Sequence, residues 1–427
     1  MLSLNPFQPH SRRAVGAWLS RARAIGVLLP LALPLVASAG GPLSRDPALT
    51  FGILLRQSLT RAPEYVALAA RDDEARAHLE AGRAWLAGRP SLEASYLDDR
   101  GRSGAGVSEL EYGVQLPLWR PGERRDAAAF GRALTEQAAA ARAHVEFTVA
   151  GRLREALAVL EAADRMLEIE RLATREAEEL VRAVERLFEA GETSALDLTQ
   201  ARTGLLAQRR MELEAVSRLA AAEAGFTSLT GLSARPASGH REVDPAETLI
   251  TPAHPWLRLL KADEAFAAEA VKRVRAEAKG NPALGLGARR QRGAAGEEYN
   301  DSLVVGLSLP FGGLAKVDAQ VGSARRQQAE AAAAILSARR ELEQRLDELQ
   351  RERATLGEAL RLGEEQVALD RRQWEMARAA FDVGETNLFQ VLSALGQLRA
   401  STREREQLRL RRDALPAQIN QTIGVLP

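Results

Sequence analysis

A mainly α-helical fold made of two copies of one unit, each a long antiparallel helical hairpin carrying two β-strands, is predicted by three features of the sequence. The first is a duplication. Gly191-Glu192-Thr193 returns as Gly384-Glu385-Thr386, Leu116-Pro117-Leu118 as Leu309-Pro310-Phe311, and Gly231-Leu232 as Gly424-Val425, each 193 residues later. Pro90 and Pro63 have counterparts 192 residues on, at Pro282 and Pro255. A period of about 190 residues is far longer than solenoid or propeller repeats, so a whole domain has been doubled. The second feature is a heptad of apolar residues sustained through proline-free stretches, and the third is a pair of short alternating segments ahead of each stretch.

Composition agrees. Aromatic residues are only 4% of the 427, while Ala and Leu are abundant, which is the signature of close-packed helices. Charged residues are 27% but balanced to a net +1, so there is no bulk attraction to nucleic acid. Nearly all the basic residues are Arg; Lys261, Lys272, Lys279 and Lys316 are the only lysines. The chain has no cysteine, which excludes disulfides and thiolate metal sites and suits passage through an oxidising compartment.

Taken in order, residues 1–39 read as a secretory signal. Arg12, Arg13, Arg21 and Arg23 give a positive start, 24–36 (AIGVLLPLALPLV) is a short apolar core with two prolines, and Ala37-Ser38-Ala39 is a cleavage site. The mature chain is expected to begin at Gly40. After it no run of 18 apolar residues occurs, so a mature chain that crosses a membrane must do so with strands.

The first unit, 40–232, reads as helix over about 49–87 with a break at Pro63. Strands follow at about 90–97 and 109–118, then a helix at about 123–189, a break at Gly191, and a helix at about 194–229 that stops at Gly231. Residues 233–251, rich in Pro, Gly and polar types, read as a connector. The second unit, 252–427, repeats the order: helix about 255–279, strands about 283–289 and 302–309, helix about 314–383, break at Gly384, and helix from Thr386, with Pro416 expected to kink or weaken it. The long hairpins thus cover about 123–229 and 314–423. Leu153, Leu160, Leu167, Thr174, Val181 and Phe188 fall at steps of seven. So do Leu342, Leu349, Leu356 and Gly363, with Leu346, Leu360, Val367 and Trp374 on a companion seam. A strict seven-residue repeat implies a left-handed supercoil. Runs such as 127–129, 138–141 and 331–334, all Ala, allow close helix approach.

In the strands, Leu110, Tyr112, Val114, Leu116 and Leu118 alternate with Glu109, Glu111, Gly113, Gln115 and Pro117. Leu303, Val305, Leu307 and Leu309 alternate with Ser302, Val304, Gly306 and Ser308. Such segments suit a membrane-spanning strand and equally a soluble sheet. Four strands cannot close a barrel, and open edges are not tolerated in lipid; three copies supply twelve, which can close. Strands that meet lipid therefore imply a trimer.

The chain resembles the outer-membrane efflux protein family, the TolC-like channels, over everything after the signal. The resemblance is carried by RLFEAGETSALDLTQAR (186–202) and AAFDVGETNLFQVLSAL (379–395), by APEY from Ala62 and HPWL from His254, and by the strand ends Leu116-Pro117-Leu118 and Leu309-Pro310-Phe311. It implies a homotrimer in which twelve strands form an outer-membrane β-barrel on a periplasmic α-helical barrel. Gly191, Glu192, Thr193, Gly384, Glu385 and Thr386 then lie at the periplasmic tips that dock a periplasmic adaptor (membrane fusion) protein, although both glycines are also what a tight turn demands. Family members narrow the tunnel with carboxylates just beyond each tip. Here Asp197 holds that place in the first copy, or is a solvated turn residue, whereas Gln390 and Ser393 stand in the second, which puts an acidic gate in doubt. Tyr96, Tyr112, Trp119 and Tyr299 are candidates for a membrane-interface girdle or for ordinary packing.

No catalytic constellation is visible. His10, His78, His144, His240 and His254 are scattered without metal-ligand spacing, and no phosphate-cradling loop or nucleophile elbow occurs. No enzyme, cofactor, metal site or nucleic-acid partner is expected. The resemblance implies a passive exit duct in the outer membrane, extending into the periplasm. It would work with an adaptor and an inner-membrane pump, a proton-driven one in the heavy-metal branch that VGLSLPFGG (305–313) and the compact length resemble, with divalent metal ions as cargo. A protein or peptide secretion channel of the same architecture and a soluble periplasmic coiled-coil scaffold are the alternatives.

Overall fold

The computed structural model of the protein describes residues 42–427 apart from Arg100, Arg102, Ser103, Ala246, Gly312 and Gly313; the expected signal segment lies outside the described residues. Its elements run β1 (Ser44–Asp46), α1 (Phe51–Arg61), α2 (Pro63–Ala81), β2 (Ser91–Asp98), β3 (Ser108–Pro117), α3 (Glu123–Glu189) and α4 (Ala195–Thr230). Then follow β4 (Ala234–Pro236), α5 (Pro255–Glu277), β5 (Ala283–Arg292), β6 (Asn300–Ser308), α6 (Leu314–Asp382) and α7 (Leu388–Ile423).

Helices α3 and α6 have 67 and 69 residues, hence are each about 100 Å long at 1.5 Å per residue. Neither can bury its apolar stripe alone. In the first hairpin the heptad residues Leu153, Leu160 and Leu167 pack with Leu219 and Phe226 of α4, and Leu54 of α1 closes the end. In the second, Leu346, Leu349 and Leu356 pack with Leu415, Ile419 and Ile423 of α7. Leu153, Leu349 and Phe226 are fully buried, each contributing about 1.5–3 kcal/mol by loss of apolar contact with water. Phe188, the last residue of the first heptad series, is instead 41% exposed. The short helices join the hairpins: α2 and α5 meet α3 through Ala75, Phe130 and Phe266, and α5 meets α6 through Leu257, Ala338 and Leu342.

Several expected boundaries move. α2 stops at Ala81 rather than 87, and a loop carries the chain to β2. β5 runs on to Arg292 and β6 begins at Asn300, so residues read as loop are strand. α7 continues through Pro416 to Ile423 without a break; Pro416 forfeits one backbone donor, but the buried Leu415 and Ile419 on either side hold the helix in place. The connector contains β4, which pairs in parallel with β1 in the register Ser44 with Ala234 through Asp46 with Pro236.

The connector is pinned by a buried polar network. Arg154 of α3 donates from Nε to Glu242 Oε1 at 2.6 Å and from Nη2 to Oε2 at 2.8 Å. It also donates to the Gln421 side chain and, at 2.9 Å, to the carbonyl of Val425. Asn420 donates to Glu242 at 2.8 Å. Burial alone would raise the Glu242 carboxyl, but the hydrogen bonds from His240, Arg154 and Asn420 outweigh it and carry the pKa down to about 2. Nearby, His254 caps α5, its Nδ1 accepting from the Trp256 amide at 3.1 Å, and its ring meets Phe147 edge-on with centroids 5.1 Å apart. Burial, and then the neighbouring His144, push its pKa down to about 4.

Replacing Glu242 with Ala strands a buried guanidinium, and thermal or denaturant unfolding is expected to register a loss of about 3–5 kcal/mol. The pH dependence has two stages. His254 is held neutral, so its contribution is complete above its ordinary value of 6.5 and is lost as pH falls from there to about 4. Glu242 is held ionised, so its contribution is complete above 4.5 and is lost as pH falls toward 2. Unfolding midpoints measured along a pH series should fall in both windows, and His254→Gln should weaken the first stage while leaving the second.

Candidate functional site: helical tips and a two-faced sheet

The hairpin tips arise from local hydrogen bonding. At the end of α3, Gly191 adopts φ 77°, where residues with a Cβ are disfavoured. The Glu192 amide reaches back to the Leu187 carbonyl at 2.8 Å and the Gly191 amide to Phe188 at 3.0 Å. The second tip repeats this: Gly384 has φ 78°, Glu385 N–H reaches Ala380 O at 2.8 Å, and Gly384 N–H reaches Phe381 O at 3.0 Å. This pair of bonds is the Schellman closure, which satisfies carbonyls that the helix end would leave bare.

The restart of each second helix is also capped. Ser194 Oγ accepts from the Asp197 amide at 3.1 Å, and Asp197 Oδ2 accepts from the Ser194 amide at 3.2 Å, a reciprocal capping box. Thr193 Oγ1 adds a third bond to the same carboxylate oxygen at 3.0 Å. Asp197 is held below the usual carboxylate range first by the Ser194 hydroxyl, with further help from the Ser194 amide and the Thr193 hydroxyl. In the second copy Asn387 Oδ1 accepts from the Gln390 amide at 3.1 Å, and Thr386 Oγ1 bonds Gln390 Oε1 at 2.5 Å. Gln390 thus occupies the place of Asp197 in the cap.

Glu192, Glu385, Gly191 and Gly384 are exposed, and Thr193 and Thr386 are half-buried. Just above the tips all four long helices share one core: Val181 and Val184 of α3, Ala201 of α4, and Leu388 and Val391 of α7, with Trp374 and Phe381 of α6 against them. Ser393 lies apart from Asp197 and Gln390 in role. It lines a groove of about 480 Å³ with Thr199, Gln200, Thr203, Phe389 and Leu392, between α4 and α7. Phe389 in this groove is 66% exposed, a position the sequence reading did not single out.

The four long strands form one antiparallel sheet in the order β2-β3-β5-β6, with lengths of 8, 10, 10 and 9 residues. The register separates its faces. One face carries the rows Leu116-Leu284-Leu307, Leu92-Val114-Leu286-Val305 and Ala94-Tyr112-Ala288-Leu303. Leu92, Leu303 and Val305 are 78%, 80% and 63% exposed. The other face carries Ser91-Gln115-Gly285-Gly306, Glu93-Gly113-Gly287-Val304, Ser95-Glu111-Arg289-Ser302 and Leu97-Glu109-Gln291-Asn300. There Arg289 bridges Glu111 at 2.7 Å and Glu109 at 2.9 Å. Gly113 and Gly287 stand opposite each other on this face. A Cβ on Gly287 would lie 2.6 Å from the Tyr112 carbonyl oxygen, and one on Gly113 2.9 Å from that of Leu286. The backbones of β3 and β5 therefore approach closely here, and only glycine tolerates the approach.

The girdle candidates separate. Tyr96 and Tyr299 lie toward the end of the sheet remote from the helices. Tyr96 Oη donates to Asp98 at 2.9 Å, and the Tyr299 ring lies 4.8 and 5.0 Å from the guanidinium carbons of Arg290 and Arg292. Tyr112 sits mid-strand among the apolar rows. Trp119 is tied to the protein through Nε1 to the Ala84 carbonyl at 3.0 Å. Among the described residues no group of three or more His, Asp or Glu side chains is placed to hold a metal ion, and no helix is long and apolar enough to cross a membrane.

The architecture is thus an amphipathic four-stranded sheet with open edges, set on paired helices about 100 Å long. Comparison with known proteins agrees. Residues 54–232 match the Outer membrane efflux protein family. Over 268 residues the chain is 29% identical to the nickel-cobalt-cadmium resistance protein NccC of Alcaligenes xylosoxydans xylosoxydans; the match takes in 61% of this chain and 59% of that relative. The fold is similar to the outer membrane protein VceC of Vibrio cholerae, with TM-score 0.70 at 17% identity over 88% of this chain and 97% of that one. It is also similar to CusC, with TM-score 0.68 at 16% identity over 92% and 96% of the two chains. The first half of the chain is thus similar to the outer membrane efflux proteins, the chain spans about 59% of the length of the curated relative it matches, and its fold is that of the two solved structures.

The tip geometry fixes two outcomes. Ser194→Ala should cost about 0.5–2 kcal/mol of stability through loss of the cap. Gly191→Val, which must place a β-branched residue at positive φ, should cost about 1–2 kcal/mol. Chemical denaturation of each variant beside the unaltered protein measures both.

Proposed function

We propose that the protein is the passive outer-membrane exit duct of a tripartite efflux system, formed by three copies of the chain. The observation that carries this reading is the four-stranded sheet, apolar on one face, polar on the other, and unpaired at both edges. Three such sheets joined edge to edge make a twelve-stranded barrel with its apolar face toward lipid and the Glu109–Arg289–Glu111 face toward water. The same threefold arrangement aligns twelve long helices into a periplasmic barrel. It would cover apolar side chains that one chain leaves bare, among them Val159 and Leu172 on α3 and Leu336, Leu362 and Leu369 on α6, each more than half exposed.

In this reading residues 40–232 and 252–427 act as two efflux repeats joined by 233–251. The exposed turns at Gly191-Glu192-Thr193 and Gly384-Glu385-Thr386 meet the periplasmic adaptor protein. Asp197 and Gln390 shape the tunnel mouth as helix caps, with Ser393 in the adjoining groove. Transport is driven by an inner-membrane pump, a proton-driven one in the heavy-metal branch, because the chain carries no nucleotide-binding motif; the duct itself does no chemistry. Divalent metal ions are the cargo favoured by the likeness to NccC, a resistance protein for nickel, cobalt and cadmium by its name.

Detergent-solubilised protein is expected to have three times the chain mass and to conduct ions in planar lipid films; monomeric, non-conducting material would refute the duct. Deleting the gene should lower tolerance to divalent metals more than tolerance to dyes and antibiotics. The reverse order would reassign the cargo and leave the duct standing.

A further inference from the structure

Two aromatic side chains remain that neither the helical packing nor the strand pairing uses. Phe311 is 98% exposed and Trp85 is 93% exposed. Both lie at the end of the sheet that adjoins the helices, beside its two edge strands, Trp85 ahead of β2 and Phe311 just past β6.

Phe311 keeps step with the apolar face. Leu303, Val305, Leu307 and Leu309 alternate along and beyond β6, all more than half exposed, and Phe311 is the next residue in that alternation. Trp85 sits in the loop of residues 82–90, and this loop is firmly held. Arg124 Nη2 donates to the Arg83 carbonyl at 2.7 Å, Trp119 Nε1 donates to the Ala84 carbonyl at 3.0 Å, and the Ala87 amide donates to the Pro117 carbonyl at 3.0 Å. Leu86 and Ala87 are half-buried beside Trp85. A fixed scaffold therefore presents an indole outward, with apolar surface whose burial against another phase would be favourable.

The surrounding charge identifies that phase. Residues 82–90 (GRAWLAGRP) contain two arginines and no carboxylate. Arg83 and Arg89 are exposed; at the start of α3, Arg124 and Arg125 are exposed too, beside the half-buried Glu123 and Asp126, and Arg125 pairs with Asp126 at 3.6 Å. Indole at the headgroup level, with arginine heads reaching phosphates and their stems lying on apolar surface, is the arrangement a phospholipid boundary favours.

We propose that residues 82–90 together with Phe311 form a collar that enters the periplasmic leaflet of the outer membrane, with Trp85 and Phe311 at the boundary between acyl chains and headgroups and Arg83 and Arg89 on the phosphates. This rests on the reading above in which the sheet spans the membrane. The collar sets the depth of the barrel and marks where the helical duct leaves the bilayer.

The absence of cysteine makes the test direct. Single variants Trp85→Cys, Phe311→Cys, Val305→Cys and Glu192→Cys are spin-labelled, and the protein is reconstituted in phospholipid vesicles. Collision with oxygen, which concentrates in lipid, is compared with collision with a water-soluble nickel chelate. Labels at 85 and 311 are expected to show an oxygen-to-nickel ratio severalfold above that at 192 and approaching that at 305. A nickel-dominated signal at 85 or 311 would place that side chain in water and overturn the collar. So would a label reached by neither reagent, which would place the side chain in a seam between copies. If the label at 305 is itself nickel-dominated, it is the spanning sheet that has failed. Should Trp85→Cys fail to fold, the native Trp85 is kept, the other tryptophans are replaced by Phe, and quenching by brominated phospholipids is measured; absence of quenching overturns the proposal equally.

Discussion

Unpaired strand edges are the constraint from which the rest of this molecule follows. In β2 and β6 every second residue turns its N–H and C=O away from the sheet. Together these are roughly a dozen or more polar groups, each costing several kcal/mol if left without a partner in hydrocarbon. Side chains of the same sheet do not meet that demand, because they stand above and below its plane while the edge groups lie within it. In the proposed duct these edges are satisfied by strands of further copies, which match them in length and alternation. The glycine pair Gly113 and Gly287 lets the backbones of β3 and β5 come close on the polar face, where a Cβ on either would meet the opposite strand.

The helices answer a different version of the same problem. A stripe 100 Å long cannot be buried on a short partner, so each long helix turns back on itself, and α2 and α5 brace the hairpins where they approach the sheet. The duplicated halves then share a core near the tips, where Leu388 and Val391 of the second copy pack on Val181 and Val184 of the first. Between tip and sheet the connector is clamped by Arg154, Glu242 and Asn420, which join α3, the connector and α7. A buried pair of this kind gives a modest net stabilisation but a large penalty when broken. Its effect is to fix one relative position of the two hairpins.

Much of this was legible in the sequence because long-period signals are robust. The absence of proline between residues 123 and 189, the heptad leucines and the glycine at each break defined the long hairpins to within a residue or two. Short elements carried too little signal: β1 and β4, three residues each, have no periodicity to read. The outer ends of β5 and β6 were misjudged for a physical reason. Arg290, Arg292 and Asp301 look like loop residues, yet all three are paired in the ladder, Arg290 with Leu110 and Asp301 and Arg292 with Ser108. Trp85 was hidden because a helix was carried on to residue 87, which turned a fixed loop into one more helical turn. The cap at Asp197 is legible, since Ser194-x-x-Asp197 is the spacing of a capping box.

That last position shows how an internal duplication separates what a site needs from what it happens to contain. The first tip uses Ser194 and Asp197, and the second uses Asn387 and Gln390. Both partners of the cap differ between the copies, and in each pair a side-chain oxygen still meets the amide three residues on. The threonine ahead keeps its role as well: Thr193 bonds Asp197 as Thr386 bonds Gln390. Hydrogen-bonding capacity is therefore common to the two tips and negative charge is not. A carboxylate with three donors already on one oxygen can still add to the local field, but it is poorly placed to be a free ligand for a passing cation. What the duplication holds constant is the sharp, rigid reversal of the helices, the part of the tip that a docking partner would have to recognise by shape.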